Sequence, residues 1–243
     1  MVKREELQQK TKEKILLIGE TGAGKTYTVV KVAEFVAQHG QDVVFIDPER
    51  GAERELELLS DEVLGHINLK DCPDWESFKR AIWSEDSCFL KVVDGLSEAF
   101  VASKIWLEDR YVAHGEYMVG ESEVKIKDKD VFTLPWQGYS KVYDFVGKIC
   151  HELVKQKPHI IVTMHSFGKT ATKEKLEGDV FRKFDTIMEL RRTVSATPPS
   201  IVYDAVLKKH RGRPFIAYVS FSGYVDKLKE LFGKRMGVEQ GAS

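Results

Sequence analysis

Gly19-Glu20-Thr21-Gly22-Ala23-Gly24-Lys25-Thr26 directly follows the apolar run Lys14-Ile15-Leu16-Leu17-Ile18. These eight residues match the complete G-x-x-x-x-G-K-S/T pattern of a phosphate-binding loop, in the strand-to-helix setting that such a loop requires. The glycines allow backbone N–H groups to approach phosphate oxygens that a Cβ would obstruct. Residues 19–26, together with Tyr27 next to them, are therefore predicted to bind a nucleoside triphosphate.

Lys25 and Thr26 are the residues of this loop with the clearest chemical roles. The Lys25 ammonium would place a positive charge on the β and γ phosphates of ATP. The Thr26 hydroxyl can complete a Mg²⁺ shell that otherwise holds water and phosphate oxygens. The positive end of the following helix would face the same anion. ATP and Mg²⁺ are the cofactors that this pattern predicts.

The bulk composition restricts the kind of protein. A chain of 243 residues with 42% hydrophobic and 31% charged residues fits a soluble globular protein. The net charge of −1 gives no overall attraction to nucleic acid or membrane, so contact with a polyanion would need local basic patches. Cys72, Cys88 and Cys150 form no C-x-x-C pair, which favours a reducing cytoplasm over a disulfide framework. No apolar run approaches the roughly 20 residues of a membrane span.

Apolar β-branched segments alternate with helical patterns, which predicts an α/β fold with a mainly parallel central sheet flanked by helices. Antiparallel strands are expected near the C-terminus. We expect strands at 14–18, 42–47, 89–94, 159–164, 186–190, 202–208 and 215–221, and helices at 27–39, 75–82, 96–110, 139–153 and 224–234. The stretch 111–135 is interpreted as an inserted surface loop or hairpin. One domain over residues 1–243 is expected.

Asp94 ends the apolar segment Phe89-Leu90-Lys91-Val92-Val93. An acid at the carboxyl end of a buried strand is typical of the Walker B position, where a carboxylate orients the hydration shell of Mg²⁺. Open α/β sheets bind their ligands at that end of the strands. Asp94 is therefore predicted to hold Mg²⁺ through water; the alternative is an ordinary exposed acid at a strand end.

The segment Phe45-Ile46-Asp47-Pro48-Glu49-Arg50-Gly51 resembles the RecA-like ATPases, in which a strand after the phosphate-loop helix ends in Asp-x-Glu. The resemblance implies that Glu49 is the catalytic base that polarises the attacking water. Arg50-Gly51 is similar to a variant found in small phage and archaeal RecA-like ATPases, some of which are implicated in single-strand annealing. The resemblance covers about residues 12–222. A solvated Asp-Pro-Glu-Arg turn is the alternative.

The segment Leu207-Lys208-Lys209-His210-Arg211-Gly212-Arg213-Pro214 resembles the Lys-x-Arg-Gly segment of RecA-like hexameric helicases of the DnaB group. In that group the lysine and the arginine reach the γ-phosphate of a neighbouring subunit. The resemblance therefore implies catalytic roles for Lys209 and Arg211 and a homo-oligomer. The alternative is a basic hairpin turn that faces solvent.

His165-Ser166 follows the strand Ile160-Ile161-Val162-Thr163-Met164, at the place where RecA-like proteins sense the γ-phosphate. His165 stands where RecA has glutamine, so a buried histidine at a strand end is an equal alternative. The next segment, 167–183, occupies the place of the DNA-binding loop and contains five basic residues. It would bind single-stranded DNA, or it would be a polar loop that closes over ATP.

These observations favour a Mg²⁺-dependent RecA-like ATPase that acts as an oligomer on single-stranded DNA in recombination or replication. Two alternatives stay open. One is a nucleotide-dependent switch or signalling ATPase that binds no DNA, and the other is a viral motor that packages or translocates DNA. A small-molecule kinase is less well supported, because the sequence shows no substrate-phosphate clamp or arginine-rich lid.

Overall fold

A computed structural model describes residues 12–84, 87–119, 122–126, 132–135, 138–166, 180–196, 199–210, 219–221 and 223–238. An eight-stranded sheet forms its centre, in the order β10-β9-β8-β1-β7-β4-β2-β3. Its strands are β1 (Lys14–Gly19), β2 (Val43–Asp47), β3 (Ile67–Asp71), β4 (Leu90–Val93), β7 (His159–His165), β8 (Thr186–Ala196), β9 (Pro199–His210) and β10 (Val219–Phe221). A separate antiparallel pair consists of β5 (Glu116–Val119) and β6 (Ser122–Lys125).

Seven helices connect or follow the strands of the described chain. They are α1 (Lys25–Gln38), α2 (Glu53–Leu56), α3 (Asp61–Leu64), α4 (Trp75–Trp83), α5 (Leu96–His114), α6 (Tyr139–Lys155) and α7 (Tyr224–Met236). None of these helices combines the length and the apolar character that crossing a membrane requires.

The sheet is parallel from β3 to β8, and β9 and β10 add two antiparallel pairings at the other side. This arrangement confirms the predicted α/β fold, including the antiparallel strands near the C-terminus. All side chains of β1, β2 and β4 are buried, as expected for parallel strands covered on both faces. The near-continuous apolar runs of these strands in the sequence have the same cause.

Two apolar clusters cover the two faces of the sheet. One contains residues of α1, α2, α3 and α7, for example Val29, Leu56 and Phe232. The other contains residues of α4, α5 and α6, for example Phe78 and Ile149. The sheet is thus fixed between two helical layers, which holds the carboxyl ends of its parallel strands in a constant relative position.

β1 lies between β7 and β8, so its last residue is level with residues far away in the sequence. Gly19 pairs with His165 on one side and with Leu190 on the other. The carboxyl ends of β2 and β4 lie at the same edge of the sheet, because all these strands are parallel. This edge therefore gathers the phosphate-loop sequence, Asp47, Asp94 and His165.

The structure differs from the expected element boundaries in several places. α5 continues to His114, four residues beyond the expected end, and the hairpin β5–β6 follows it. β8 and β9 are longer than expected because they continue together as a hairpin beyond the last residue of β1. β3, α2 and α3 were not among the elements predicted from the sequence. β3 is an edge strand with largely exposed side chains, so it lacks the apolar run that marks the inner strands.

Candidate nucleotide-binding site

The phosphate-loop sequence connects β1 to α1. Gly22 and Gly24 have φ values of 78° and 87°, in the left-handed region that glycine adopts without strain. Among the described residues no side chain caps the start of α1, and its first turn contains no acid. The N–H groups of this turn are therefore available for an anion, which the helix dipole also favours.

The Lys25 side chain is buried in the middle of the loop. Its Nζ donates hydrogen bonds to the carbonyl oxygens of Gly19 and Glu20, each at 2.9 Å, and lies 3.3 Å from His165 Nδ1. Burial lowers the pKa of Lys25, and the carboxylates of Asp94 and Glu49 counteract this effect. Both acids are thus close enough to stabilise the charged ammonium that a phosphate would meet.

Asp94 follows β4 directly and is 5% exposed. Its carboxylate accepts a hydrogen bond from the Thr163 hydroxyl and lies close enough to the Thr26 hydroxyl to be stabilised by it. Burial raises the pKa of Asp94, while the two threonine hydroxyls favour the ionised form. A carboxylate directed at the loop threonine is the arrangement that the Walker B pattern predicts.

The Thr26–Asp94 pair has the donor chemistry that Mg²⁺ requires, which is hard oxygen. Among the described residues there is no group of three or more histidine, cysteine, aspartate or glutamate side chains that could hold a metal alone. An ion at Thr26 and Asp94 would therefore complete its shell with phosphate oxygens and water, which is how Mg²⁺ is usually held beside nucleotides. The residues present fit this cofactor.

Glu49 lies on a short turn after β2 that Asp47 holds in place. Asp47 is 2% exposed, and its carboxylate accepts hydrogen bonds from the backbone N–H of Glu49 at 3.2 Å and of Ala52 at 2.8 Å. Arg50, between them, has a φ of 54°, a strained value for a residue other than glycine. Asp47 therefore fixes the turn, and the Glu49 side chain points into the cleft.

The Glu49 carboxylate lies against Gly95 and His165. Its Oε1 is 3.8 Å from His165 Nε2 and would be only 2.7 Å from a Cβ placed on Gly95. Burial raises the pKa of Glu49 to about 7, and the negative charges of Glu98, Asp94 and Asp47 add to the effect. A half-buried carboxylate that titrates near neutral pH is well suited to accept a proton.

These residues line one cleft of about 260 Å³. Its lining consists of Thr21, Gly22, Gly24, Lys25, Thr26, Tyr27, Glu49, Asp94, Gly95, Thr163 and His165. The other loop residues predicted to bind the nucleotide, Gly19, Glu20 and Ala23, line a neighbouring cleft of about 610 Å³ together with Ser166 and residues 189–194. The two clefts meet at Thr21.

Lys209 does not lie in either cleft. It pairs with Ile187, which is level with Leu16 rather than with the end of β1. Its Nζ donates hydrogen bonds to the carbonyl oxygens of Phe181 at 2.9 Å and Phe184 at 2.7 Å. Arg211 and residues 167–179, which include most of the expected DNA-binding loop, lie outside the described residues. Roles for these residues in a neighbouring site or on DNA stay predictions.

Two residues of the first cleft, Gly95 and Thr163, were not predicted from the sequence. Gly95 follows Asp94 at the strand end and has a φ of 105°, so a glycine after a strand-end acid was the available signal. Thr163 is the single hydroxyl in the run Ile160-Ile161-Val162-Thr163-Met164. Its chemical role arises because β4 and β7 are neighbours in the sheet, and this pairing cannot be inferred from the local sequence.

The overall fold is similar to those of solved ATPases and related proteins, although sequence similarity is low. A KaiC-like protein, PH0186 from the hyperthermophilic archaeon Pyrococcus horikoshii OT3, superimposes with a TM-score of 0.54 at 16% identity, over 86% of this chain and 83% of that one. The flagellar accessory protein FlaH from Methanocaldococcus jannaschii has a TM-score of 0.52 at 11% identity, over 91% and 92% of the two chains.

The ATPase domain of G40P superimposes with a TM-score of 0.50 at 12% identity, over 86% of this chain and 80% of that domain. No protein-family model and no curated protein matches the sequence. The narrower resemblance to single-strand annealing ATPases stays a prediction. The strand order, the phosphate loop after β1 and these structural matches show that the chain has the RecA-like P-loop ATPase fold.

Proposed function

We propose that the protein binds ATP with Mg²⁺ and hydrolyses it. The proposal rests on one observation: a single cleft at the carboxyl edge of the sheet is lined by Lys25, Thr26, Asp94 and Glu49. These side chains come from three separate segments of the chain, and each has the chemistry that one part of phosphoryl transfer to water needs.

At the phosphate end, Lys25 and the N–H groups of the loop bind the β and γ phosphates. Thr26 and Asp94 would hold Mg²⁺, which when bound neutralises charge on the phosphate oxygens. Glu49 accepts a proton from the attacking water, and its pKa near 7 makes this possible at neutral pH. His165 lies between Lys25 and Glu49, where it can respond to the γ-phosphate.

The nucleoside end of the ligand would lie beside two exposed tyrosines. Tyr27 and Tyr203 are 48% and 45% exposed, respectively. Tyr203 approaches within 3.7 Å of the position that a Cβ on Gly24 would occupy. Exposed aromatic faces next to a phosphate loop can stack on a base, which favours a nucleotide over an inorganic polyphosphate.

The test compares Lys25→Ala with Lys155→Ala, a control on α6 whose lysine pairs with Glu152 and lines neither cleft. We expect the first variant to lose ATP binding or turnover with an unchanged circular dichroism spectrum, because the charge that meets the phosphates is gone. The control should behave like the parent protein in a phosphate-release assay. Parent-level hydrolysis by Lys25→Ala would refute the assignment.

We further propose that hydrolysis is coupled to single-stranded DNA through the segment that follows β7. Its support is that β7 ends at His165, between Lys25 and Glu49, so a ligand on the next residues would be linked to the cleft through one short connection. Hydrolysis rates should then rise with single-stranded DNA more than with duplex DNA or RNA. Hydrolysis rates that are the same with and without nucleic acid would favour the nucleotide-dependent switch. Movement along duplex DNA would favour the motor.

A further inference from the structure

Thr163 has a buried hydroxyl at the centre of the sheet, and it is not one of the site residues predicted from the sequence. It lies on β7, between β4 and β1, and is 1% exposed. Its Oγ1 accepts a hydrogen bond from the backbone N–H of Gly95 at 2.8 Å and donates one to Asp94 Oδ1. A single side chain of one strand thus binds two consecutive residues at the end of the neighbouring strand.

The two bonds act on different parts of the cleft. The bond to Asp94 holds its carboxylate at the cleft that Thr26 also lines. The bond to Gly95 holds the backbone against which the Glu49 carboxylate packs, where Oε1 would be 2.7 Å from an added Cβ. One hydroxyl therefore touches both the acid that would orient the metal and the surface that positions the base.

A second connection runs in parallel but does not involve the acids. The backbone N–H of His165 donates a hydrogen bond to Ser97 Oγ at 2.8 Å. Ser97 and Gly95 both belong to the start of α5, so two bonds hold the end of β7 to this turn. Because the Ser97 bond is independent of Thr163, the turn should persist when the Thr163 hydroxyl alone is removed.

We propose that Thr163 is a positioning residue that sets the metal-binding orientation of Asp94. This inference rests on the proposed ATPase function. The variant Thr163→Val keeps the branched shape and removes the hydroxyl, whereas Thr163→Ser keeps the hydroxyl. If Thr163→Val folds poorly, Thr163→Cys retains the size with a weaker donor and serves the same comparison.

The experiment measures the affinity of a fluorescent ATP analogue in Mg²⁺ and in EDTA. The affinity in Mg²⁺ divided by the affinity in EDTA gives the contribution of the metal. In Thr163→Val we expect this ratio to fall about tenfold, because a hydrogen bond to a charged group is worth that much in an equilibrium constant. Affinity in EDTA should stay within about twofold of the parent, since Lys25 and the loop N–H groups are unchanged. Thr163→Ser should retain the parent ratio.

The outcomes separate the two proposals. If the parent protein binds no nucleotide, the proposed ATPase function itself is refuted. A parent that binds nucleotide more tightly with Mg²⁺, together with a Thr163→Val variant of unchanged ratio, would overturn the role of Thr163. Equal defects in the serine and valine variants would also overturn it, because a variant that keeps the hydroxyl would then be as impaired as one that lacks it.

Discussion

Glu49 shares its surroundings with three other carboxyl groups, those of Asp47, Asp94 and Glu98. Their negative charges add to the effect of burial and raise the pKa of Glu49 to about 7. For an acid with a raised pKa, the protonated form dominates below that value. Glu49 can therefore accept a proton from water above about pH 7 and loses this ability as the pH falls.

This titration predicts the pH dependence of hydrolysis. kcat/KM should fall below an apparent pKa near 7, by about tenfold per pH unit, if the unprotonated base is required. Glu49→Gln should bind ATP without turning it over, while Glu53→Gln, an exposed matched control on α2, should leave the profile unchanged. Normal hydrolysis by Glu49→Gln combined with an inactive Asp47→Asn would reverse the assignment of these two acids.

At the residue scale, the sequence was informative wherever chemistry follows a local pattern. The loop motif, the strand-end acid Asp94 and the Asp-x-Glu segment brought Lys25, Asp94 and Glu49 into consideration, and the structure places all three on one cleft. Asp47 was understood only as part of that segment, although its buried carboxylate fixes the turn. Such contacts depend on backbone geometry, which a residue pattern does not encode.

The turn from β4 into α5 depends on Gly95 for two reasons. Its φ of 105° is unfavourable for any residue with a Cβ, and an added Cβ would also displace the Glu49 carboxylate. Gly95→Ala should therefore lower stability by about 1–3 kcal/mol and reduce turnover more than ATP binding. Thermal melting and phosphate release measure the two effects.

The control for this variant is Gly147→Ala in α6. A Cβ on Gly147 would meet no heavy atom within 4 Å, so its helix should gain up to about 1 kcal/mol from the better helix former. Activity should be unaffected. Unimpaired turnover in Gly95→Ala would show that Glu49 does not need the space beside this glycine.

At the scale of elements, apolar runs predicted the inner strands and amphipathic patterns predicted the long helices. The lengths of β8 and β9 were underestimated, because their outer halves form a hairpin with exposed side chains such as Val194 and Ile201. Pairing between the two strands stabilises this part, and burial contributes little. Periodicity reports burial, so an exposed hairpin gives a weak signal.

At the scale of the molecule, His159 connects three segments at the amino edge of the sheet. It is 1% exposed, its Nδ1 accepts a hydrogen bond from the Glu13 backbone N–H at 3.0 Å, and its ring packs beside Phe89 and Phe232. Burial and then nearby positive charges lower the pKa of His159 to about 3. In the unfolded chain, the imidazole of His159 takes up a proton near pH 6.5, whereas in the folded protein it does so only near pH 3.

The free energy of unfolding should therefore decrease as the pH falls from 6.5 towards 3, by up to about 1.4 kcal/mol per pH unit from this group. Urea denaturation at pH 7 and pH 5 measures the difference. His159→Gln should show a shallower decrease than the parent, and His39→Gln, at an exposed histidine, should match the parent. Identical slopes in all three proteins would contradict the neutral state of His159.

Assembly is the second property of the whole molecule that can be tested. If Arg211 completes the site of a neighbouring subunit, specific ATPase activity should rise with protein concentration until the oligomer is saturated. Arg211→Ala should lose about 10³-fold or more in turnover while still binding ATP. Mixing this variant with Lys25→Ala should restore some activity, because one subunit boundary then combines an intact loop with an intact arginine. A verified mixed oligomer without any recovery would indicate a self-contained site.

The position of β1 between β7 and β8 has a consequence for how the chain acquires its structure. Lys14 pairs with Ile160, and Ile15 pairs with Thr186, so the strand that leads into the phosphate loop has both partners far downstream. Contacts between such distant residues must overcome a large loss of chain entropy and form slowly. On a ribosome, the loop sequence therefore emerges before both strands that pair with β1, and it should gain its binding geometry only after β8 has been synthesised.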